Sequence, residues 1–313
     1  MKRTFIEWLL CRLQPERRYD IKKFRRILVR NKIELIIDVD TEISLDSVIA
    51  KRGLDIKLIS WEHFCCQRFM ERDICSDIIN CIVSDVDKMV VLTKSDQKLF
   101  TEYCNIPKNK IVQIYNPSPI ELTEYVPHSE KRVLAMGRLE PEKGYDMLLR
   151  AWALVEKNIT DWILEIVGEG SQKTILVSLC SSLGLKNVVF LPFTDVPYLK
   201  YKKASIYALS SRHEGFPLAL LESANMSLPV VAFDCPNGPG EIVVDGVNGY
   251  LVEPGNVELF AEKLLSLIKD SDMREKFSRN ALETVKDLKI SSIIKKWENL
   301  ISSVVDGKGN LNS

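Results

Sequence analysis

The chain has no apolar run approaching the about 18 residues that a membrane-spanning helix needs. Its start at Met1 lacks the long apolar region and cleavage site of a secretory signal, so a cytoplasmic protein is expected. Eight cysteines form no Cys-x-x-Cys pair, and several fall in apolar helical stretches, which argues for packed thiols rather than a disulfide frame or zinc site. Net charge is absent too: 43 basic and 43 acidic residues cancel, which removes the overall bias of a nucleic-acid binder. No His/Cys/Asp cluster has metal-ligand spacing, and no Asp-x-Asp is expected to follow a strand in the way metal-dependent sugar transfer would require, so the expected metal ligands are none. Glycine is scarce early, with Gly53 alone preceding residue 137.

The charge that is present is uneven. Eleven lysines and arginines face three acids within the first 32 residues. Phe5, Trp8, Leu9 and Leu13, then Ile21, Phe24, Ile27 and Leu28, recur at helical spacing and predict two amphipathic helices. Their cationic side suits either an anionic membrane surface or plain solvent.

From Ile33 onward short apolar strands alternate with helices, the pattern of parallel α/β sheets. Strands are expected at 34–38, 56–60, 88–92 and 110–115, with helices at 45–51, 65–84 and 95–104. Asn116-Pro-Ser-Pro119 breaks regular structure and marks a domain boundary. The second half predicts strands at 132–136, 162–167, 187–191, 205–209, 229–233 and 249–252. Helices are expected near 144–157, 171–183, 217–227, 257–269, 272–285 and 290–304. With 313 residues, two domains are expected.

One stretch organises the second half, Ser210-Ser-Arg-His-Glu-Gly-Phe-Pro-Leu-Ala-Leu-Leu-Glu222. A buried strand leads into it and a helix leaves it, with Pro217 suited to the first helical position. A helix starting there aims unpaired N–H groups and its positive dipole end at the strand end, where α/β proteins hold phosphates. On one continuous helix Glu214 and Glu222 would stand roughly 12 Å apart, too far for a glycosidase carboxylate pair. They suit two grips on one extended polar ligand, or a helix cap and a solvated acid.

Gly137-Arg138-Leu139-Glu140-Pro141-Glu142-Lys143-Gly144 follows a strand and precedes a helix. An Arg and a Lys across such a turn can converge on a diphosphate, though an isolated pattern of this kind is more often a charged loop. Gly168-Glu-Gly170 also leaves a strand, but Lys173 occupies the third glycine position of a dinucleotide fingerprint, which disfavours a nicotinamide cofactor.

Glu214-x7-Glu222 within His-Glu-Gly-Phe-Pro-Leu, with Gly137-Arg-Leu-x-x-x-Lys143-Gly before it and Gly238-x-x-Glu241-Ile-Val after it, resembles glycosyltransferase family 4. The resemblance implies a GT-B fold: two Rossmann-like doubly wound parallel-sheet domains facing a cleft. It places the acceptor-side domain at 1–116, the nucleotide-sugar domain at 117–288, and a final helix at 289–306 crossing back. It implies a retaining enzyme that moves a hexose or N-acetylhexosamine from a UDP-sugar to a lipid-linked saccharide and needs no cofactor or metal. The basic opening helices would allow such an enzyme to sit at the inner face of the membrane. Arg138 and Lys143 would take the diphosphate, Glu214 the sugar hydroxyls, and Glu222 the ribose. Gly137, Gly168, Phe193, Gly215, Phe216, Pro217 and Leu218 would line the donor, and His63, in Ile59-Ser-Trp-Glu-His-Phe64, would approach its sugar. Trp61 and Glu62 are weaker candidates for acceptor contacts. Family members begin with a strand and a glycine-rich loop. This chain opens in charged helices, so its first domain is expected to be short of one or two βα units, and a catalytically incomplete binding protein is the alternative.

Overall fold

The computed structural model describes residues 15–71, 76–120, 125, 127, 128 and 130–307. The chain divides into two compact units, residues 1–115 with 293–313, and residues 116–292. The first unit begins with α1 (Pro15–Arg30), followed by β1 (Leu35–Val39), α2 (Thr41–Lys51) and β2 (Lys57–Glu62). Next come α3 (Cys66–Glu71), α4 (Ser76–Asp85), β3 (Lys88–Val91), α5 (Lys94–Tyr103) and β4 (Ile111–Gln113). The first expected helix, with Phe5 and Trp8, lies outside the described residues. The single helix expected over 65–84 is observed as α3 and α4, with 72–75 outside the described residues.

The first sheet runs β1-β2-β3-β4, all parallel. Leu58, Ile59, Met89, Val90 and Val91 are buried within it, the near-continuous apolar character of strands covered on both faces. In α1, Ile21 and Leu28 face the core while Ile27 is 46% exposed, so the apolar stripe is narrower than its spacing suggested. Arg25 Nη1 donates to the carbonyls of Ala50 (2.7 Å) and Arg52 (2.8 Å), fastening α1 to the end of α2. Lys22, Arg25, Arg26, Val29 and Arg30 line a recess of about 410 Å³ on the helix.

The second unit has six parallel strands: β5 (Arg132–Met136), β6 (Ile163–Val167), β7 (Val188–Leu191), β8 (Ile206–Leu209), β9 (Val230–Phe233) and β10 (Gly249–Val252). Between them lie α6 (Tyr145–Glu156), α7 (Lys173–Ser182), α8 (Tyr198–Lys203), α9 (Leu218–Asn225) and the short α10 (Pro239–Ile242). Then come α11 (Val257–Lys269), α12 (Ser271–Thr284) and α13 (Ile290–Val305), whose residues from Ile293 belong to the first unit. The spatial order is β10-β9-β8-β5-β6-β7. Counted along the chain within this unit, that is the 3-2-1-4-5-6 order of a doubly wound dinucleotide fold read from its other edge.

Its core is built where α6 meets α11 over the sheet: Leu148, Leu149 and Trp152 are fully buried with Phe260, Leu264 and Leu267. Asn256 and Asp270 cap α11 and α12 by accepting from Leu259 N–H (3.0 Å) and Met273 N–H (2.8 Å).

Candidate active site

The order of the second sheet reverses between β5 and β8, whose carboxyl ends therefore flank a crevice of the kind in which doubly wound proteins bind ligands. From β5 the chain enters a 3₁₀ turn at Pro141–Lys143, ended by Gly144 at φ 62°, a left-handed conformation that glycine adopts without steric cost. A side chain at Gly144 would lie 2.0 Å from the Ser210 carbonyl oxygen, and one at Gly168 would lie 1.9 Å from that of Gly137. Three loops thus meet backbone to backbone.

Side chains lock the contact. Ser210 Oγ donates to the Lys143 carbonyl (2.9 Å), and Arg212 N–H donates to that of Glu142 (2.7 Å). The Arg212 guanidinium grips both oxygens of Asp146, each at 2.8 Å, and also reaches the Pro141 carbonyl. The arrangement holds Lys143 Nζ 2.8 Å and 2.9 Å from the two oxygens of Glu214, whose Oε1 also accepts from Ser211 Oγ (2.6 Å). Glu214 is 7% and Lys143 22% exposed at the side chain, so the pair is largely withdrawn from water. Burial, with the Glu214 charge nearby, pushes the Cys235 thiol up to about 12, which keeps it protonated beside the pair.

Of the residues singled out in the sequence, Gly137, Lys143, Gly168 and Glu214 are brought together. Lys143 Cε passes 3.8 Å from the position a Gly137 Cβ would occupy. Arg138 stands apart, 74% exposed, its guanidinium on Glu142 (3.0 Å) rather than on Glu214. Gly215 is half-buried, Phe216 and Pro217 are buried, and Leu218 is partly exposed. Pro217 is the residue before α9 rather than its first, and no side chain caps the helix, so its leading N–H groups have no side-chain acceptor. Glu222, on the fifth residue of α9, accepts from Tyr201 Oη (2.7 Å), and burial raises its carboxyl above the usual range. Phe193 follows β7 and is 69% exposed.

A profile of the family described as Glycosyl transferases group 1 matches residues 124–284, just over half of the chain and the whole of this cluster. The chain belongs to that family. Over 282 residues it is 32% identical to an uncharacterized glycosyltransferase of Haemophilus influenzae, covering 90% of this chain and 79% of the relative. It is 28% identical over 287 residues to a Campylobacter jejuni transferase named for adding N-acetylgalactosamine to a saccharide on undecaprenyl diphosphate, with the same coverage of both chains, 90% and 79%. The fold is that of Staphylococcus aureus TarM, crystallised with UDP and α-GlcNAc-glycerol, at TM-score 0.75 and 24% identity. That likeness covers 85% of this chain and 55% of TarM, so the chain spans about half the length of that neighbour.

In this group 1 transferase, His63 lies in the other unit, just beyond β2. Its ring sits 4.5 Å from that of Trp61, which meets Trp297 of α13 edge-on at 4.9 Å. Burial lowers the His63 pKa, and its Nε2 is buried without a partner. Asp38-Val39-Asp40 at the end of β1 is an Asp-x-Asp that the sequence reading passed over. Among the described residues no three His, Cys, Asp or Glu side chains are grouped to hold an ion. Sequence reasoning also missed Asp146, Tyr201, Ser211 and Arg212. The last two stand inside the organising stretch, but their partners are remote in the chain.

Proposed function

We propose that the chain is a retaining, family 4 glycosyltransferase that moves a hexose or N-acetylhexosamine from a UDP-sugar to a lipid-linked saccharide in surface polysaccharide or glycan assembly. The observation that carries this is the Lys143–Glu214 pair at the sheet reversal, ahead of the uncapped start of α9. In that frame Lys143 and the helix dipole stabilise charge developing on the departing diphosphate. Arg138, free to swing from its solvent-exposed partner, adds a second cation. Glu214 accepts from sugar hydroxyls, and Glu222 from the ribose with Tyr201 holding its carboxylate in place. Gly137, Gly168 and Gly215 let backbone approach the donor, Phe193 lies toward the base, and His63 keeps the sugar contact that the resemblance assigns it. These cationic groups provide charge compensation without a cofactor or metal.

UDP is the nucleotide in the TarM crystals, and the Campylobacter relative is named for a lipid-linked acceptor. Contact with the inner face of the membrane is proposed through α1, whose Lys22, Lys23, Arg26 and Arg30 are exposed together with Tyr19, Ile27 and Val29. Among the described residues no helix is long and apolar enough to cross a membrane.

Thermal shift against UDP, GDP and ADP tests the donor, since a ligand at 100 times its Kd adds about 2.7 kcal/mol of stability. UDP is expected to raise Tm most, and Glu214→Ala to abolish transfer while the protein stays folded. Full activity in that variant would remove Glu214 from the mechanism.

A further inference from the structure

Three tyrosines gather around the carboxyl end of β5. The rings of Tyr201 and Tyr207 lie 5.9 Å apart, and both hydroxyls are spent within the fold. Tyr201 Oη donates to Glu222 (2.7 Å) and to the Ala219 carbonyl (3.1 Å), and Tyr207 Oη donates to the Met136 carbonyl (3.2 Å). The third, Tyr145, opens α6 directly after Gly144. Its ring packs in the core with Leu148 and Trp152, a duty that phenylalanine would serve equally well.

The hydroxyl of Tyr145 is what needs a reason. It donates to none of the described residues, and Tyr145 keeps 5% of its surface exposed where Tyr201 and Tyr207 keep none. A hydroxyl carried into a core without a partner costs free energy, and a ligand that accepts from it recovers that cost.

Its position says which part of a ligand it meets. A Cβ at Gly137 would lie 3.0 Å from Tyr145 Oη and 3.8 Å and 3.9 Å from Cε and Cδ of Lys143. The hydroxyl and the lysine stem thus border one small space, left free because residue 137 has no side chain. Burial, and after it the charge of Glu214, push the Tyr145 hydroxyl well above its ordinary pKa, so it keeps its proton and acts as a donor. An O–H donor beside an ammonium group suits an oxygen that only accepts and that carries negative charge, which is a phosphate oxygen. A sugar hydroxyl also has a proton to give, and Glu214 is the acceptor at hand for it.

We propose that Tyr145 is a further catalytic residue of this transferase, its hydroxyl donating a hydrogen bond to the distal phosphate of the nucleoside diphosphate beside Lys143. This rests on the sugar-transfer reading above and adds to it an uncharged donor on the leaving group. Negative charge grows on that phosphate as its bond to the sugar breaks, so the hydrogen bond strengthens toward the transition state while the proton stays on the tyrosine.

Calorimetric titration of the full chain with UDP and UMP tests the assignment, with GDP and GMP, then ADP and AMP, as further pairs. Tyr145→Phe keeps the ring and removes one oxygen. Its Tm without nucleotide should equal that of the unsubstituted protein, because no internal hydrogen bond is lost, whereas Tyr201→Phe loses two and should melt lower. Diphosphate affinity should fall roughly tenfold in Tyr145→Phe, the range of a hydrogen bond to a charged group, while monophosphate affinity stays unchanged. A general loosening of the core would weaken both nucleotides alike. In donor hydrolysis the same variant should lose kcat by a larger factor than its KM rises.

An unchanged ratio of diphosphate to monophosphate affinity overturns the role of Tyr145 and leaves the transferase reading standing. So does a Tm loss as large as that of Tyr201→Phe, which would show the hydroxyl to be engaged within the fold. If the unsubstituted protein binds none of the three diphosphates more tightly than the matching monophosphate, the diphosphate reading itself fails, and the role of Tyr145 falls with it.

Discussion

The Lys143–Glu214 contact makes a prediction that can be worked through in energy. At 2.8 Å and an effective dielectric of 20, the attraction between unit charges is about 6 kcal/mol before desolvation is subtracted. Both groups have lost most of their hydration, so the net value of the pair is far smaller, while the penalty for orphaning one member is large. Lys143→Met leaves the Glu214 carboxylate with the Ser211 hydroxyl as its remaining side-chain donor, and should cost about 3 kcal/mol. Glu214→Gln keeps an oxygen that can accept from Lys143 and should cost about 1 to 2 kcal/mol. The double variant no longer strands a charge, so its cost should fall short of the sum by about 1 to 2 kcal/mol. Urea unfolding of the four proteins, read as midpoint and slope, measures that coupling. Lys143→Met should also lose the UDP-induced rise in Tm, whereas Glu214→Gln, which touches the sugar rather than the diphosphate, should keep it. Costs that add within about 0.5 kcal/mol would refute the energetic link between the two side chains.

Gly144→Ala adds a Cβ 2.0 Å from the Ser210 carbonyl at φ 62° and should destabilise by about 2 to 4 kcal/mol, with UDP binding lost. Gly184→Ala, at φ 68° but with open space around it, carries the conformational cost alone, about 1 kcal/mol, and denaturant unfolding of the two separates clash from strain. Asp146 is held below the usual carboxylate range by its hydrogen bonds from Arg212, so its stabilisation is present above about pH 4 and lost as pH falls through its lowered value. Asp146→Asn should therefore flatten the acid side of the stability profile. Asp38 and Glu62 are raised by burial, so their contribution is full below about pH 4 and lost as pH rises through their folded values. Asp38→Asn should remove part of that slope in a urea midpoint series between pH 4 and pH 7.

Strand positions were legible because buried parallel strands are short apolar runs between turn residues, and each of the ten falls within about two residues of its expectation. The six-residue α8 escaped notice because Tyr201 alone among its side chains is buried, which leaves no helical period to read. The outward turn of Ile27 shows a period overestimating a face: spacing places four apolar residues on one side, and packing takes the middle of the stripe. Within the site, Lys143 and Glu214 could be nominated from local motifs. Arg212 with Asp146, 66 residues apart, and Tyr201 with Glu222, 21 apart, could not, since only the fold makes them neighbours.

The abutment of Gly137 against Gly168 sets a limit on how such an enzyme can diversify. Where one peptide plane rests on another, substitution has no side chain to exchange, and any addition pushes two strands apart. That corner of the second unit is therefore among the positions least open to substitution. Variation must instead enter where side chains remain negotiable, such as the exposed turn carrying Phe193.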